Sequence, residues 1–233
     1  MNRYEGKDIE AMHSAPNYYR WILREFSSYL KGSVLEVGAG SGTFSALLME
    51  RPITELTAVE PSQEMYPLLE EQFRSDSRVS CRQAFFPEIS AQYPERFDAA
   101  VYINVLEHVK DDAAELRHVY ESLKADGAVC IFVPALSWLY SESDRLVGHY
   151  RRYHKKPLKK LLEDAGFEVV SLRYFDVAGV LPWLLFMKLM KRQVTGDSAA
   201  LYDSIVVPIM SRVESLILPP LGKNLVAVAR KRR

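Results

Sequence analysis

Short apolar stretches alternate with amphipathic ones along most of this 233-residue chain. Apolar runs rich in β-branched side chains predict strands, and apolar residues at helical spacing between these runs predict helices. The predicted strands lie at about 33–37, 54–59, 78–81, 97–103 and 127–133, in "FEVVSLRYF" and in "NLVAVARKRR". This alternation is typical of a mostly parallel sheet with helices on both faces.

Two of the helices have recognisable ends. Asp112 and Glu115 stand at capping-box spacing before an amphipathic stretch, which predicts a helix that begins there. A second helix is predicted from Pro157 to Ala165, because proline suits a first helical position and Gly166 suits the residue that follows a helix.

The pattern changes at residue 177. The runs "VAGVLPWLLFMKLMKR" and "SIVVPIMSRVESLILPPL" are densely apolar, but prolines and charged residues interrupt both well short of the roughly 20 residues that a membrane-spanning helix needs. We expect residues 177–221 to form a helical cover over the edge of the sheet. The alternative is a lid that admits an apolar substrate or rests on a membrane surface.

Composition narrows the classes of function. Thirty basic and thirty acidic residues cancel, so no net charge favours nucleic acid as a partner. The first ten residues contain no apolar signal segment, so we expect a cytoplasmic protein, with peripheral contact at the membrane as the alternative. Cys81 and Cys130 have no second Cys or His at ligand spacing, so we expect two reduced thiols. The length and the 48% hydrophobic content are within the range of one large α/β domain, so we expect a single domain over residues 1–233.

The stretch "VLEVGAGSGTF" places Gly38, Gly40 and Gly42 between a predicted strand and a predicted helix. Glycines in such a turn let the backbone approach a ligand closely at a helix N-terminus. A dinucleotide-binding loop would have its last glycine at the position of Thr43, where it allows close helix–strand packing. Dinucleotides and S-adenosylmethionine are the two classes of ligand that use such a turn.

Two carboxylates help to decide between these ligands. Glu36, two residues before Gly38, would repel a pyrophosphate but could hold an ammonium group. S-adenosylmethionine carries an α-amino group and no phosphate, so this charge favours it. Glu60, at the end of the second predicted strand, suits the ribose hydroxyls of either ligand.

Four successive stretches resemble the motifs of the class I, Rossmann-like S-adenosylmethionine-dependent methyltransferases. They are "VLEVGAGSGTFSALL", "AVEPSQEM", "FDAAVYINVLEHVKDDAAELRHVYESLKADGAVCIFVPA" and "LLEDAGFEVV". The resemblance is strong over about residues 33–172 and implies a seven-stranded sheet whose last strand is inserted antiparallel. Within a predicted N-terminal helical segment, residues 1–31, "APNYYRWILREFSSYL" resembles the first helix of a bacterial small-molecule and lipid-type subgroup.

The resemblance also implies which residues bind the cofactor. Glu36 and the glycine-loop backbone would hold the methionine part, and Glu60 the ribose. Gln83 stands where the family often has an acid that accepts from the adenine amino group, and an amide oxygen can accept the same bond. Phe85 would line the adenine pocket, with a place in the core as the alternative. The full predicted set is Glu36, Gly38, Ala39, Gly40, Gly42, Thr43, Phe44, Glu60, Pro61, Gln83, Ala84, Phe85, Asn104 and Leu106.

The segment "INVLEHV" would lie where the cofactor and the methyl acceptor meet. His108 is the first candidate for a base or an acceptor-orienting group, and the alternative is that Glu107 and His108 brace the loop. A base is needed only when the acceptor must lose a proton. No cluster of acids accompanies Asn104, so we expect no metal.

The most distinctive stretch is "SWLYSESDRLVGHYRRYHKKPLKK", most of it within a predicted substrate-side insertion, residues 135–156. From Arg145 to Lys160 it contains seven basic residues and no acid. We expect Arg151 and Arg152 to clamp an anionic acceptor group, His149 to be a second candidate base, and the lysines to lie on a solvated helix face. The predicted substrate-binding set is Tyr19, Glu107, Tyr140, Arg151, Arg152 and Tyr153.

A similar "D-x-x-x-G-H-x-R-R-Y" stretch, followed by a hydrophobic tail, occurs in a group of bacterial methyltransferases often encoded near glycosyltransferases. This likeness points to cell-surface sugars, lipids or lipid-linked intermediates as acceptors. We expect a metal-independent methyltransferase that acts on a small or lipid-like acceptor, on oxygen rather than nitrogen. The rival hypotheses are a catalytically silent, methyltransferase-like binding module and an NAD-dependent oxidoreductase.

Overall fold

A computed structural model describes residues 15–190 and 196–232 of the chain. The predicted N-terminal segment, the predicted apolar cover and the basic tail therefore lie partly outside the described residues. Residues 177–190 and 196–221 of the predicted cover are described and can be compared with the prediction.

Within the described residues, seven strands form one sheet. They are β1 (Gly32–Val37), β2 (Ile53–Val59), β3 (Val79–Arg82), β4 (Phe97–Ile103), β5 (Leu123–Pro134), β6 (Phe167–Phe175) and β7 (Asn224–Lys231). Their order is β3-β2-β1-β4-β5-β7-β6, with β1 to β5 paired in parallel and β7 antiparallel to both of its neighbours. The predicted Rossmann-like fold class and the inserted antiparallel strand are confirmed.

Helices follow most of the strands. Those before β6 are α1 (Pro16–Phe26), α2 (Thr43–Leu48), α3 (Tyr66–Phe73), α4 (Phe86–Ile89), α5 (Asp112–Ser122), α6 (Glu142–Leu146) and α7 (Lys155–Asp164). After β6, α8 (Val180–Pro182) continues as a π-helix (Trp183–Leu189), and α9 (Gly196–Leu201) continues through a π-helix (Tyr202–Val206) into α10 (Val207–Leu216). Among the described residues, no helix is both long and apolar enough to cross a membrane.

Alternate side chains of the central strands pack into two separate cores, one on each face of the sheet. Leu35 and Val129 belong to the core under α5 and α7, whereas Val34 and Ala128 belong to the core under α1 and α2. The central strands are therefore apolar on both faces, which explains why they are continuous apolar runs in the sequence.

The start of α5 differs from the prediction. The helix is capped by Asp111, whose carboxylate accepts a hydrogen bond from Ala114 N at 2.9 Å, and not by the predicted pair of Asp112 and Glu115. Asp112 turns inward instead, and its Oδ2 accepts from Tyr153 Oη at 2.8 Å. Adjacent aspartates leave the choice of cap open in the sequence, and tertiary contacts decide it.

Two other boundaries differ in smaller ways. α7 begins at Lys155, so Pro157 is its third residue; a proline is tolerated there because the first-turn N–H groups have no partner within the helix. Gly166 follows this helix at a φ of 99°, as predicted for a helix end. β5 begins at Leu123, four residues before the predicted start, because Leu123 already pairs with Phe97.

A buried carboxylate connects the first described helix and the C-terminal helices to the sheet. Asp176 directly follows β6, and its side chain accepts hydrogen bonds from Tyr18 Oη at 2.9 Å, Tyr202 Oη and Gly179 N at 2.9 Å. Lys223 Nζ lies 3.1 Å from the same carboxylate. The N-terminal helix, the C-terminal helices and the approach to β7 are thus held at the end of β6 that borders the insertion.

Candidate active site

The carboxyl ends of β1, β2 and β4 come together at one edge of the sheet. β1 lies between β2 and β4, and the strand order runs in opposite directions on either side of β1. In open α/β sheets, ligands bind outside the carboxyl ends of the strands at this reversal. Most of the predicted cofactor-binding residues follow these strand ends.

The glycine loop has a backbone that other residues would adopt only with strain. Gly38, Gly40 and Gly42 have φ angles of 73°, 58° and 93°. A Cβ on Gly38 would lie 2.4 Å from Val105 Cγ2, and one on Gly42 would lie 2.7 Å from Gln72 Oε1. The spacing of these glycines is therefore imposed by the turn and by close packing, and α2 begins directly after it.

Glu36 is the most informative group beside this loop. It is buried, its side chain accepts a hydrogen bond from Ser45 Oγ, and burial raises its pKa to about 8. Tyr19 lies nearby, since burial and the charge of Glu36 both raise the pKa of its phenol. The Tyr19 ring also packs 5.6 Å from that of Phe44. Tyr19, predicted to contact substrate, thus lies beside Glu36 and Phe44, two of the residues predicted to bind the cofactor.

Glu60 connects the ends of β1 and β2. Its two carboxylate oxygens accept hydrogen bonds from Gly40 N and Ser62 N, both at 2.8 Å. Each carboxylate oxygen can accept more than one hydrogen bond, so acceptor capacity for ribose hydroxyls remains. The sequence indicated a ribose contact but gave no sign that Glu60 also fixes the glycine loop.

The predicted adenine side lies at the ends of β3 and β4. The Phe85 side chain is 58% exposed, which excludes the alternative that it belongs to the core. Gln83 is also exposed, whereas Leu106 is fully buried in the core, so its side chain does not line an open pocket. Phe85 and His108 both line an open cavity of about 390 Å³.

Three predicted site residues from two distant segments meet at one point. Glu107 and His108 lie on a 3₁₀ turn after β4, and His149 lies on the insertion. The two imidazole rings are 4.6 Å apart, edge to face, and His149 Nε2 is 3.9 Å from Glu107 Oε1. Burial raises the pKa of Glu107 to about 7 and lowers that of His108 to about 4.

The predicted anion clamp is corrected by the structure. Arg152 is buried, and its guanidinium donates to both carboxylate oxygens of Asp144, at 2.7 and 3.1 Å, and to Ala135 O at 3.2 Å. The same group stacks 4.6 Å from the Trp183 ring. Its charge is therefore neutralised inside the protein and is not directed at an acceptor.

Arg151 and Tyr153 have internal partners as well. Arg151 donates to Asp112 Oδ2 and to Lys110 O, both at 2.7 Å, and Tyr153 Oη donates to Leu106 O at 3.1 Å. Together these contacts bind the insertion to the loop after β4. A run of basic residues predicted a surface for anions, but Asp144 within the insertion pairs with Arg152, and Asp112 on α5 pairs with Arg151. The predicted solvated face is present on α7, where Lys156, Lys159 and Lys160 are exposed.

Tyr140 has a role that sequence alone did not show. Its phenol donates to His149 O at 2.7 Å, and Tyr150 N donates to Glu107 O at 2.8 Å. Asp144 completes this arrangement: burial alone would raise its pKa, but the hydrogen bonds from His149 and Arg152 lower it overall. The insertion is therefore built to hold His149 next to Glu107.

Comparison with known proteins identifies the family. Residues 12–172 match the methyltransferase domain family. The ubiquinone biosynthesis O-methyltransferases of Pseudomonas putida strain GB-1 and Pseudomonas entomophila strain L48 are both 30% identical over 115 residues, 49% of this chain and 49% of theirs. The chain thus matches these curated relatives over about half of their length.

Solved structures show the same fold. A methyltransferase from Archaeoglobus fulgidus, described as S-adenosylmethionine-dependent, aligns with a TM-score of 0.61 at 16% identity, over 93% of this chain and 95% of the other. The 1,6-didemethyltoxoflavin-N1-methyltransferase of Burkholderia thailandensis aligns with a TM-score of 0.64 at 20% identity, over 99% and 84%.

This chain belongs to the methyltransferase domain family. The resemblance to class I, S-adenosylmethionine-dependent methyltransferases is thereby confirmed. An oxidoreductase is no longer a competing interpretation.

Glu36→Gln is expected to stabilise the protein in the absence of cofactor, and more so at higher pH. The folded-state pKa of about 8 exceeds that of an exposed glutamate, about 4.3, so the folded state holds the proton more tightly and loses relative stability as pH rises between these values. Glutamine has no such proton to lose. Thermal melts should show a variant Tm close to wild type at pH 5 and a few degrees higher at pH 8.

Glu71→Gln is the matched control, because Glu71 is exposed on α3. It should follow the wild-type dependence of Tm on pH. A Glu36→Gln variant that melts below wild type at pH 8 would contradict the assignment of a costly buried charge.

Proposed function

We propose that this protein transfers the methyl group of S-adenosylmethionine to an oxygen atom of a lipid-like acceptor at a membrane surface. The buried Glu36 carboxylate beside the glycine loop is the observation that supports S-adenosylmethionine as the methyl donor. An exposed apolar surface on the C-terminal helices supports a lipid-like acceptor at a membrane.

The donor fits the residues present. A buried carboxylate with a pKa of about 8 is costly to ionise alone, and an ammonium group would offset that cost by direct pairing. Gly38 and Gly40 bring backbone close to the same place, and no arginine or lysine of the loop is available to neutralise a pyrophosphate. When bound, the donor supplies a methyl group on a positively charged sulfur.

The remaining contacts would fix the nucleoside. Glu60 has acceptor capacity for the ribose hydroxyls, and Gln83 and Phe85 stand exposed at the end of β3 for the adenine. Asn104, with a φ of 53°, directs the loop after β4 across the end of that strand. The protein's part in methyl transfer is to align the acceptor with the methyl group and to exclude water.

His108 and His149 are the groups that would face an acceptor hydroxyl. They come from two segments, and the insertion supplies one of them, so its position over the strand ends decides the acceptor geometry. His149 Nδ1 lies 2.9 Å from Asp144 Oδ1, which leaves the lone pair of Nε2 directed away from Asp144. Oxygen as the methylated atom is also supported by the likeness to O-methyltransferases.

The apolar surface is concentrated after β6. Thirteen of the nineteen large apolar side chains that are exposed among the described residues lie between residues 181 and 221, so one region carries most of the exposed apolar side chains. They are Leu181, Leu185, Phe186, Leu189, Met190, Leu201, Ile205, Ile209, Val213, Leu216, Ile217, Leu218 and Leu221. Exposed apolar surfaces of this kind mark contacts with membranes or other proteins.

This surface is connected to the candidate site. Trp183 Nε1 donates to Leu139 O at 3.2 Å, and Lys188 donates to Trp138 O, so the helix after β6 rests on the insertion. The insertion in turn holds His149. A membrane beneath these helices would present a lipid next to the place where the acceptor must enter.

Two substitutions should separate the donor contacts. Glu36→Gln is expected to weaken binding of S-adenosylhomocysteine by about 10- to 100-fold, the loss of one charged hydrogen bond, and to leave binding of methylthioadenosine unchanged, because that compound lacks the amino-acid part. Glu60→Ala should weaken binding of both. Calorimetric titration of the two ligands into each variant gives the comparison.

Equal losses for both ligands in Glu36→Gln would overturn the ammonium assignment. A protein that binds neither ligand would favour the catalytically silent binding module instead.

Vesicle binding tests the proposal of an acceptor at a membrane. The double substitution Phe186→Glu and Leu189→Glu is expected to abolish co-sedimentation with phosphatidylethanolamine–phosphatidylglycerol vesicles, because it places two charges in the apolar surface. Burial of apolar area drives this contact, so wild-type binding should change little between low and high salt.

Leu68→Glu is the control, since Leu68 is 56% exposed but lies on α3, away from this surface. If wild type does not sediment with vesicles, and light scattering shows the same double variant dissociating a dimer, the surface is a protein interface and the membrane proposal fails.

A further inference from the structure

Glu107, His108 and His149 form a compact group of side chains with metal-ligand chemistry. One ligand atom from each lies within 4.8 Å of the ligand atoms of the other two. Two imidazole nitrogens and one carboxylate oxygen are a donor set that suits Zn²⁺ and related divalent transition metals, whereas Mg²⁺ favours oxygen ligands throughout.

The carboxylate of Glu107 points to a missing partner. Glu107 is fully buried, and among the described residues neither of its side-chain oxygens has a hydrogen-bond partner on another residue; only its own backbone N–H lies close to the carboxylate. Buried polar groups are nearly always hydrogen-bonded, and a buried carboxylate without a partner is strongly unfavourable. The nearest side-chain nitrogen recorded for it is His149 Nε2, at 3.9 Å, beyond hydrogen-bond distance. A cation between these two groups would satisfy both.

The orientation of His149 supports the same conclusion. Its Nδ1 lies 2.9 Å from Asp144 Oδ1, and Asp144 is itself fixed by Arg152 and by Ser141 N at 2.9 Å. A histidine that donates through one ring nitrogen to a carboxylate presents the other nitrogen as a lone pair. Histidine ligands of metal ions typically have such a carboxylate partner.

His108 is held from the opposite segment. Its ring hydrogen-bonds to the backbone of Gly148, the residue next to His149. Gly148 has a φ of 84°, so the chain turns sharply there and brings the two rings within 4.6 Å. Both histidines are therefore oriented by the turn that the "GHYRRY" stretch makes.

We propose that Glu107, His108 and His149 bind a divalent transition-metal ion, with Asp144 as the outer carboxylate that orients His149. Bonds of about 2.0–2.1 Å in a tetrahedral site place ligand atoms roughly 3.4 Å apart, so the ligand atoms need to move together by up to about 1.4 Å around the ion. Three protein ligands leave a fourth coordination position open, as in catalytic zinc sites.

The proposed site differs from the sequence-based expectation of no metal. That expectation rested on the lack of a cluster of acids beside Asn104, whereas the proposed site combines one acid with two histidines, one of them from the insertion. Metal binding itself is independent of the proposed function. A role for the open position in binding an acceptor oxygen rests on the proposed function and is tested separately, by activity.

The test is titration of Zn²⁺ into the full chain after treatment with a chelator, followed by Co²⁺ substitution. One Zn²⁺ per chain is expected, with Co²⁺ giving visible absorption of the intensity typical of four- or five-coordinate nitrogen and oxygen ligands. Glu107→Gln and His149→Ala should each weaken Zn²⁺ binding by more than about 100-fold, and Asp144→Asn by about 10- to 100-fold.

His118→Ala is the matched control, because His118 is hydrogen-bonded to Ser90, which directly follows α4, and is not one of the three ligands. It should retain wild-type affinity. Absence of stoichiometric Zn²⁺ or Co²⁺ binding overturns the proposal, as does binding that survives both Glu107→Gln and His149→Ala. If a variant fails to fold by circular dichroism, the Co²⁺ spectrum of the wild-type chain decides.

Metal binding without methyl transfer would leave this site standing and would count against the proposed function. Methyl transfer by a chain that binds no transition metal would overturn the metal site and would support the proposed function.

Discussion

The rest of the site depends on one buried carboxyl group, that of Glu36. Glu36 stands at the carboxyl end of the central strand β1, where the sheet order reverses and where the glycine loop leaves little room for a neutralising side chain. Burial makes this carboxylate hold its proton up to a pH of about 8, so the protein without ligand carries a destabilising group at its centre. A ligand ammonium relieves this cost, which links the stability of the protein to the choice of methyl donor. Glu60 then needs only to hold the glycine loop and to accept hydrogen bonds from the ribose hydroxyls.

The insertion between β5 and α7 uses its charges to hold itself in place. Arg152 pairs with Asp144, Arg151 pairs with Asp112, and the tyrosines donate to backbone carbonyls. The result is a rigid support that places His149 against the loop after β4. The insertion also carries the helix after β6, whose apolar side chains face outward. Acceptor position, a metal site and membrane contact are therefore proposed for one connected element.

Local chemistry explains what the sequence could and could not predict. The alternation of apolar strands, the glycine spacing and the acids at 36 and 60 each depend on neighbours within a few residues, and they predicted the sheet and the donor side. The role of Arg152 depends on Asp144 and Trp183, and the grouping of His149 with Glu107 depends on a distant loop. Single-sequence patterns contain no record of such pairings. The basic stretch therefore predicted that the arginines bind an anionic acceptor, whereas in the fold they pair with the protein's own carboxylates.

The most direct test of the central claim is a comparison of two ligands on the same purified chain. S-adenosylhomocysteine and NAD⁺ share adenosine but differ in what lies beyond the ribose, an ammonium-bearing amino acid in one and a pyrophosphate in the other. Calorimetry at neutral pH should show one S-adenosylhomocysteine bound per chain and no measurable binding of NAD⁺. Binding of NAD⁺ without binding of S-adenosylhomocysteine would contradict the account.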